Sequence, residues 1–371
     1  MKVLWLTWKD RAHPGAGGAE VISHELRLRL RGEGHDVTLL TCGYPGAAKT
    51  EEADGIHVIR VGSSRYTHPF QAITYYLHHL RNKFDLVVEE VNAAPYFSVL
   101  FGKKSQRVLF YHHLEREVWL HEAKPPVNYL GYYVLEPVAT RILGSSNVPL
   151  ITISESTRRE MARYGFSPRN TSIISEGIEL EPVRNLKQTP KYDAPTILSF
   201  GGLRAMKRTL DQVKAFELAK PRVPRLQMKI AGDASGDYGR AVLDYIAKSP
   251  YAADVTYLGR VRQDEKPELM QRCHLITVSS VKEGWGLIVT EAASQGTPAV
   301  VYDVPGLRDS VRNARTGIVT EPDPGAMAAG IIELLESPRT YERLRRNAWE
   351  WSKRINFSQS YQDFKAAVGL T

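Results

Sequence analysis

Residues 282–307 read KEGWGLIVTEAASQGTPAVVYDVPGL, and the reading of this stretch decides the fold. Before it stands LITVSS (275–280), short and apolar, which predicts a buried strand. Residues 281–284 turn out of that strand, a helix starts near Gly286, and PAVVYD (298–303) returns as the next strand. Glu283 falls on the loop and Glu291 one to two turns into the helix, so both carboxylates can point toward one cavity. Carboxylates accept paired hydrogen bonds from vicinal hydroxyls, which a ribose or hexose presents. The glycines Gly284 and Gly286 bring the backbone close, and the first-turn amides of Gly286, Leu287 and Ile288 suit phosphate or ring oxygens. Taken singly, Glu283 would favour a helix start and Glu291 would be a solvated face; the paired glycines are then unexplained. The segment reads as a holder for a sugar nucleotide.

Outward from this stretch the same alternation of short apolar runs and amphipathic helices fills the chain, twice over. The first half offers KVLWLTW (2–8), DVTLLTC (36–42), IHVIRV (56–61), DLVVEEV (85–91), RVLFYH (107–112), PLITIS (149–154) and TSIIS (171–175) as strands. The second offers TILSFGG (196–202), LQMKIAG (226–232), VTYLG (255–259), LITVSS, PAVVYD and TGIVT (316–320). We expect an α/β protein of two Rossmann-like, doubly wound parallel-sheet domains facing across a cleft, with ligands beyond the carboxyl ends of the strands. The expected division is residues 1–180, a proline-bearing linker at 181–194, a donor domain at 195–350, and a helix at 351–371 crossing back to the first domain. Trp349, Trp351, Tyr361 and Phe364 are the expected packing residues of the tail.

Composition agrees with this plan. The 371 residues are 43% hydrophobic, enough for two cores. No apolar run approaches the roughly 18 residues of a membrane span. The N-terminus reads as a buried strand rather than a secretory signal, and two distant cysteines, Cys42 and Cys273, argue against a metal site or disulfide framework. A reducing cytoplasm fits. The net charge of +8 suits anionic partners, while neither finger spacing nor basic-aromatic interleaving supports nucleic acid.

Three further loops carry chemistry. DRAHPGAGGAE (10–20) sets Gly15, Gly17 and Gly18 before a helix, a plausible phosphate cradle that lacks both GxGxxG spacing and a Walker lysine. VLFYHHLE (108–115) ends a strand in two histidines, of which one faces the ligand side; His112, continuing the strand, is the candidate donor to a sugar hydroxyl or carbonyl. FGGLRAMKRTL (200–210) delivers Arg204, Lys207 and Arg208 beside a helix start, where cations gain nothing from the dipole and an anion is expected.

Together these residues carry a resemblance. EGWGLIVTEAASQGTPAVVYDVPGL (283–307) resembles the E-x7-E signature of the family 4 retaining glycosyltransferases, which have the GT-B fold. GGAE (17–20), VLFYHHLE, ITISESTRREMARYGF (151–166) with IISEGIE (173–179), and FGGLRAMKR (200–208) follow in the family's order over almost the whole chain. The resemblance implies that Glu283 binds hydroxyls of the transferred sugar and Glu291 those of the ribose. It implies that Lys207 neutralises the departing diphosphate, that Gly17 and Gly18 approach it, and that His112 stands near the reacting sugar. Two positions depart from the family: Gly202 occupies the place of its usual arginine, leaving Arg204 or Arg208 to supply the charge, and Glu176 stands where asparagine is common.

The implied activity is transfer of a sugar from a nucleotide-diphosphate donor to a glycan, lipid-linked or small-molecule acceptor with retained anomeric configuration. No cofactor and no obligatory metal are expected. A silent sugar-nucleotide-binding subunit and a sugar-nucleotide epimerase are the competing readings, the former favoured by Gly202. Basic stretches LRLRLRGEG (26–34), RNK (81–83) and GKKSQR (102–107), with Tyr75, Tyr76, Tyr132 and Tyr133, suit peripheral contact with an anionic membrane face and equally suit ordinary surface and core.

Overall fold

A computed structural model describes residues 1–64, 67–92, 94–101, 103 and 106–370. Within the basic stretch 102–107, residues 102, 104 and 105 lie outside the described residues. The chain divides into two units. The first is Met1–Arg116, Tyr129–Gly177 and Asn356–Thr371; the second is Glu117–Asn128 and Ile178–Ile355. This division differs from the one expected from the sequence, and the return to the first unit comes at Asn356 rather than at 351. Residues 117–128 belong with the second unit, because the backbone N–H of Met206 donates to Glu122 at 3.1 Å. The expected linker is bound to the second unit as well. Trp349 Nε1 donates to the Val183 carbonyl at 2.8 Å, and half-buried Lys191 donates to the carbonyls of Cys273 and Gly296 and to Thr297 Oγ1.

The first unit carries strands β1 (Lys2–Leu6), β2 (Asp36–Thr41), β3 (Thr50–Ala53), β4 (Ile56–Arg60), β5 (Leu86–Val91), β6 (Arg107–Tyr111), β7 (Leu150–Thr152) and β8 (Thr171–Ile173) in the order β3-β4-β2-β1-β5-β6-β7-β8. Every pairing is parallel except β3 with β4. Strand β3, TEEA, is polar and caps the edge; no apolar pattern marked it in the sequence. The helix Phe357–Val368 belongs to this unit, with Phe364 stacked on Trp5 at 5.7 Å between ring centres.

The second unit carries β9 (Thr196–Phe200), β10 (Gln227–Ala231), β11 (Val255–Gly259), β12 (Leu275–Val278), β13 (Ala299–Tyr302) and β14 (Gly317–Thr320), all parallel, in the order β11-β10-β9-β12-β13-β14. Renumbered from one this is 3-2-1-4-5-6, the doubly wound order. Chain direction across the sheet reverses between β9 and β12, and in such sheets ligands bind where the loops leaving those two strands diverge.

Arg27 and Tyr76, from the stretches that suited either a membrane face or the core, lie in the core. The helix Gly18–Gly32 has an apolar face of Ile22, Leu26 and Leu30, as its spacing implies, but Arg27 lies on the buried side too and is fully enclosed. The arginine-rich stretch is therefore not a uniformly basic surface. Tyr76 is also a core residue, its hydroxyl accepting from Arg107.

Candidate active site

In the second unit the candidate residues lie on the loops at the switch point. After β9 the chain passes Gly201 and Gly202 to a single 3-10 turn, Ala205–Lys207, and Arg208 takes a left-handed conformation with φ 49° before the helix Thr209–Ala219. After β12 it passes the buried Ser279, Ser280 and Lys282 to Glu283, Gly284 and Gly286, whose φ of 90° opens the helix Leu287–Ser294. The two loops are stitched together. Ser279 Oγ donates toward the carbonyls of Lys207 and Arg208 at 2.9 Å each, and the Val281 N–H donates to the Met206 carbonyl at 2.8 Å. The loop after β13 closes on the same place, its Pro305 carbonyl accepting from the Glu283 N–H at 3.1 Å.

This stitching puts Lys207 Nζ 2.5 Å from Glu283 Oε1, where Ser280 Oγ also donates at 2.6 Å. The sequence had assigned these two side chains to different parts of a ligand; the structure pairs them directly. Their side chains are 29% and 16% exposed, so the pair is screened from bulk water yet open on one side. Glu291 is paired as well, with Lys266 Nζ at 2.7 Å from Oε1. Burial pushes the Glu291 carboxyl up from its usual range, and Lys266 opposes that shift. Lys266 was missed in the sequence, although it opens the helix Lys266–Arg272 where a cation gains nothing from the dipole, the same signal that marked Lys207. The amides of Leu287 and Ile288 begin their helix beside Glu283 and have no preceding turn to donate to.

Of the remaining basic candidates, Arg204 turns aside. Its side chain is 54% exposed and its guanidinium lies 3.9 Å from Glu122, so it is directed at the 117–122 helix rather than toward Glu283. Arg208 is half-buried and acts on His121, whose pKa burial lowers first and Arg208 lowers further.

In the first unit His112 leaves β6 into a buried acidic environment. Nε2 lies 3.1 Å from Glu90 Oε1, and Nδ1 lies 3.8 Å from Glu176 Oε1. Trp5 Nε1 donates to the other Glu90 oxygen at 2.6 Å. Burial alone would lower the imidazole pKa, but the two carboxylates outweigh it and raise it to about 9. The neighbouring carboxylates thus favour the protonated form of His112, which donates hydrogen bonds rather than accepting a proton. Arg27 sits in the same interior, near Glu90, Asp10 and Glu20, its pKa lowered by burial to about 10. The glycine loop is not an open cradle. The Gly17 N–H donates to Glu20 Oε2 at 2.6 Å, while Lys9 and Asn92 meet the other oxygen, and Gly18 is the first residue of its helix.

Solved structures define the fold. Sucrose-phosphate synthase from Thermosynechococcus elongatus superposes with a TM-score of 0.78 over 98% of this chain and 97% of that one, at 17% identity. WaaG, a glycosyltransferase involved in lipopolysaccharide biosynthesis, gives 0.74 over 100% and 99% at 18% identity, and HepE of Anabaena, solved with UDP and glucose, gives 0.72 over 100% and 99% at 16%. The fold is GT-B. Residues 16–182 match the family model described as Glycosyltransferase Family 4 and residues 184–351 the one described as Glycosyl transferases group 1. The chain is thus built of a Glycosyltransferase Family 4 domain followed by a Glycosyl transferases group 1 domain. Glycogen synthase of Mycobacterium tuberculosis is 27% identical over 54% of this chain and 48% of its own length. D-inositol 3-phosphate glycosyltransferase 2 of Catenulispora acidiphila is 28% identical over 60% and 57%. The chain therefore spans about half the length of these curated relatives.

Proposed function

We propose that this chain moves a sugar from a nucleotide-diphosphate donor to an acceptor hydroxyl with retained anomeric configuration. The observation that carries the reading is the Lys207–Glu283 pair beside the amides of Leu287 and Ile288 at the switch point of the second sheet. A cation and free amides suit the diphosphate, and a carboxylate fixed by Ser280 and Lys207 suits the sugar hydroxyls. Glu291, with Oε1 held by Lys266, offers Oε2 to the ribose.

In this scheme the bond from the anomeric carbon to the diphosphate oxygen breaks with its electron pair leaving on the phosphate. The acceptor oxygen attacks from the same face, and its proton passes to the departing phosphate. Lys207 and the amides stabilise the charge that develops, which is where an enzyme gains rate. His112, as an imidazolium, contributes a positive hydrogen-bond donor and takes no proton. Lys207 meets the leaving charge without a divalent ion, so turnover in the presence of a chelator is part of the proposal. The structures of HepE with UDP-glucose, and of TarM with UDP and alpha-GlcNAc-glycerol, support the donor and acceptor classes by analogy of fold.

Gly202 favours the competing reading of a silent binding subunit, and one assay separates them. Nucleoside diphosphate release is measured across a panel of sugar nucleotides, with and without acceptor. Release that depends on acceptor supports transfer, and an α-linked product from an α-linked donor, read by NMR coupling, supports retention. Binding without release would favour the silent subunit; conversion of the donor with no acceptor present would favour an epimerase.

A further inference from the structure

In the first unit, the helical run that continues through Gly131–Leu135 into Glu136–Gly144 carries an unusual outer face. Gly131, Pro137, Thr140, Leu143 and Gly144 point inward and are buried. Outward stand Tyr129, Leu130, Tyr133, Val134, Val138 and Ile142, all exposed, with Tyr133 at 66% and Val138 at 50%. A helix facing water presents its polar side; this one presents large apolar groups. The wider π turn of Gly131–Leu135 delays the rotation of the helix, so that residues on either side of it share one stripe.

Charge decides what fits that stripe. Arg141 is the exposed charged residue on this helix between Tyr129 and Gly144. The carboxylate of Glu136 is turned inward, accepting from the N–H groups of Glu115 and Arg116 at 2.6 and 2.7 Å. Arg116 and Arg141 both lie over the ring of Tyr164, near Glu160, and Arg163, next to Tyr164 in the chain, is exposed. Tyr129 and Tyr133 stack at 6.5 Å, an amphipathic ring pair of the kind that sits at the headgroup level of a bilayer. Apolar side chains to insert, tyrosines at the boundary and arginines without outward carboxylates on the helix match an anionic lipid surface.

We propose that this chain docks on anionic membranes through the 129–142 helix face. This contact is interfacial, for no helix among the described residues is long and apolar enough to cross a bilayer. It deepens the glycosyl-transfer reading by placing the acceptor at or near a lipid surface. Docking is read without turnover, so either idea can fail alone.

The test is flotation of the full chain with vesicles of phosphatidylcholine, with and without phosphatidylglycerol. We expect flotation with the anionic vesicles, weakened but not abolished by salt. The pair Val134→Ser with Val138→Ser should lower the apparent affinity on the order of tenfold, and Arg141→Gln should reduce the preference for anionic lipid; both are surface changes that leave the thermal melt in place. Absence of flotation with anionic vesicles, or equal flotation of the serine variant, overturns the proposal. So does a dimer in light scattering that the serine substitutions dissociate, which would assign the face to a second copy.

Discussion

His112 is held between two buried carboxylates, and the sign of its pH effect follows from that. Its native pKa of about 9 exceeds its ordinary value of 6.5. A base raised in this way stabilises the fold fully below pH 6.5 and loses that contribution as pH rises through 9. We therefore expect the His112 ring signals in NMR to titrate near 9, and the urea midpoint of the first unit to fall across the same window. Glu176 stands in place of the family's common asparagine and faces Nδ1, so Glu176→Asn should move the His112 titration down toward 6.5. At Glu291 the partner matters more than the acid. Lys266→Met leaves a buried carboxylate without its counter-ion and should cost about 3 kcal/mol in urea unfolding. The double variant Lys266→Met with Glu291→Met should recover most of that loss, because both charges are then gone.

The loop after β13 illustrates how elements hold the site. Gly306 has φ 83°, and a Cβ there would lie 2.3 Å from the Glu283 carbonyl oxygen. Gly306→Ala should therefore displace the Glu283 loop, lowering the melting temperature and weakening sugar-nucleotide binding together, by about 1–3 kcal/mol in stability. Calorimetry and titration of the same preparation check both. Most strands were legible because parallel strands buried on both faces read as continuous apolar runs, as in LITV and AVVY. Strand β3 was not, since a polar edge strand has no such run. The E-x7-E spacing led to Glu283 and Glu291, but their lysine partners come from elsewhere in the chain, Lys207 from a turn and Lys266 from a helix start, and pairing across a fold leaves no local period. Arg27 shows the reverse failure. A charged residue in a helix reads as surface, yet here the Glu90–His112 interior surrounds it.

Across the whole molecule, the chain leaves the first unit, builds the second and returns, so that residues 356–371 complete the fold begun at residue 1. Phe364 and Trp5, both fully buried, stack where the last helix meets the first sheet. Phe364→Ala should cost the first unit about 3–5 kcal/mol. Calorimetry should then resolve an early transition from that unit, with the second unit melting near its original temperature. The central claim concerns that second unit, whose Glu283, Lys207 and Glu291 are assigned to an activated sugar. Calorimetric titration of a panel of sugar nucleotides into the wild type and into folded Lys207→Ala and Glu291→Gln variants tests it most directly. The account predicts that at least one sugar nucleotide binds the wild type and binds each variant at least about tenfold more weakly. Failure of every sugar nucleotide to bind, or equal affinity in the variants, would contradict it.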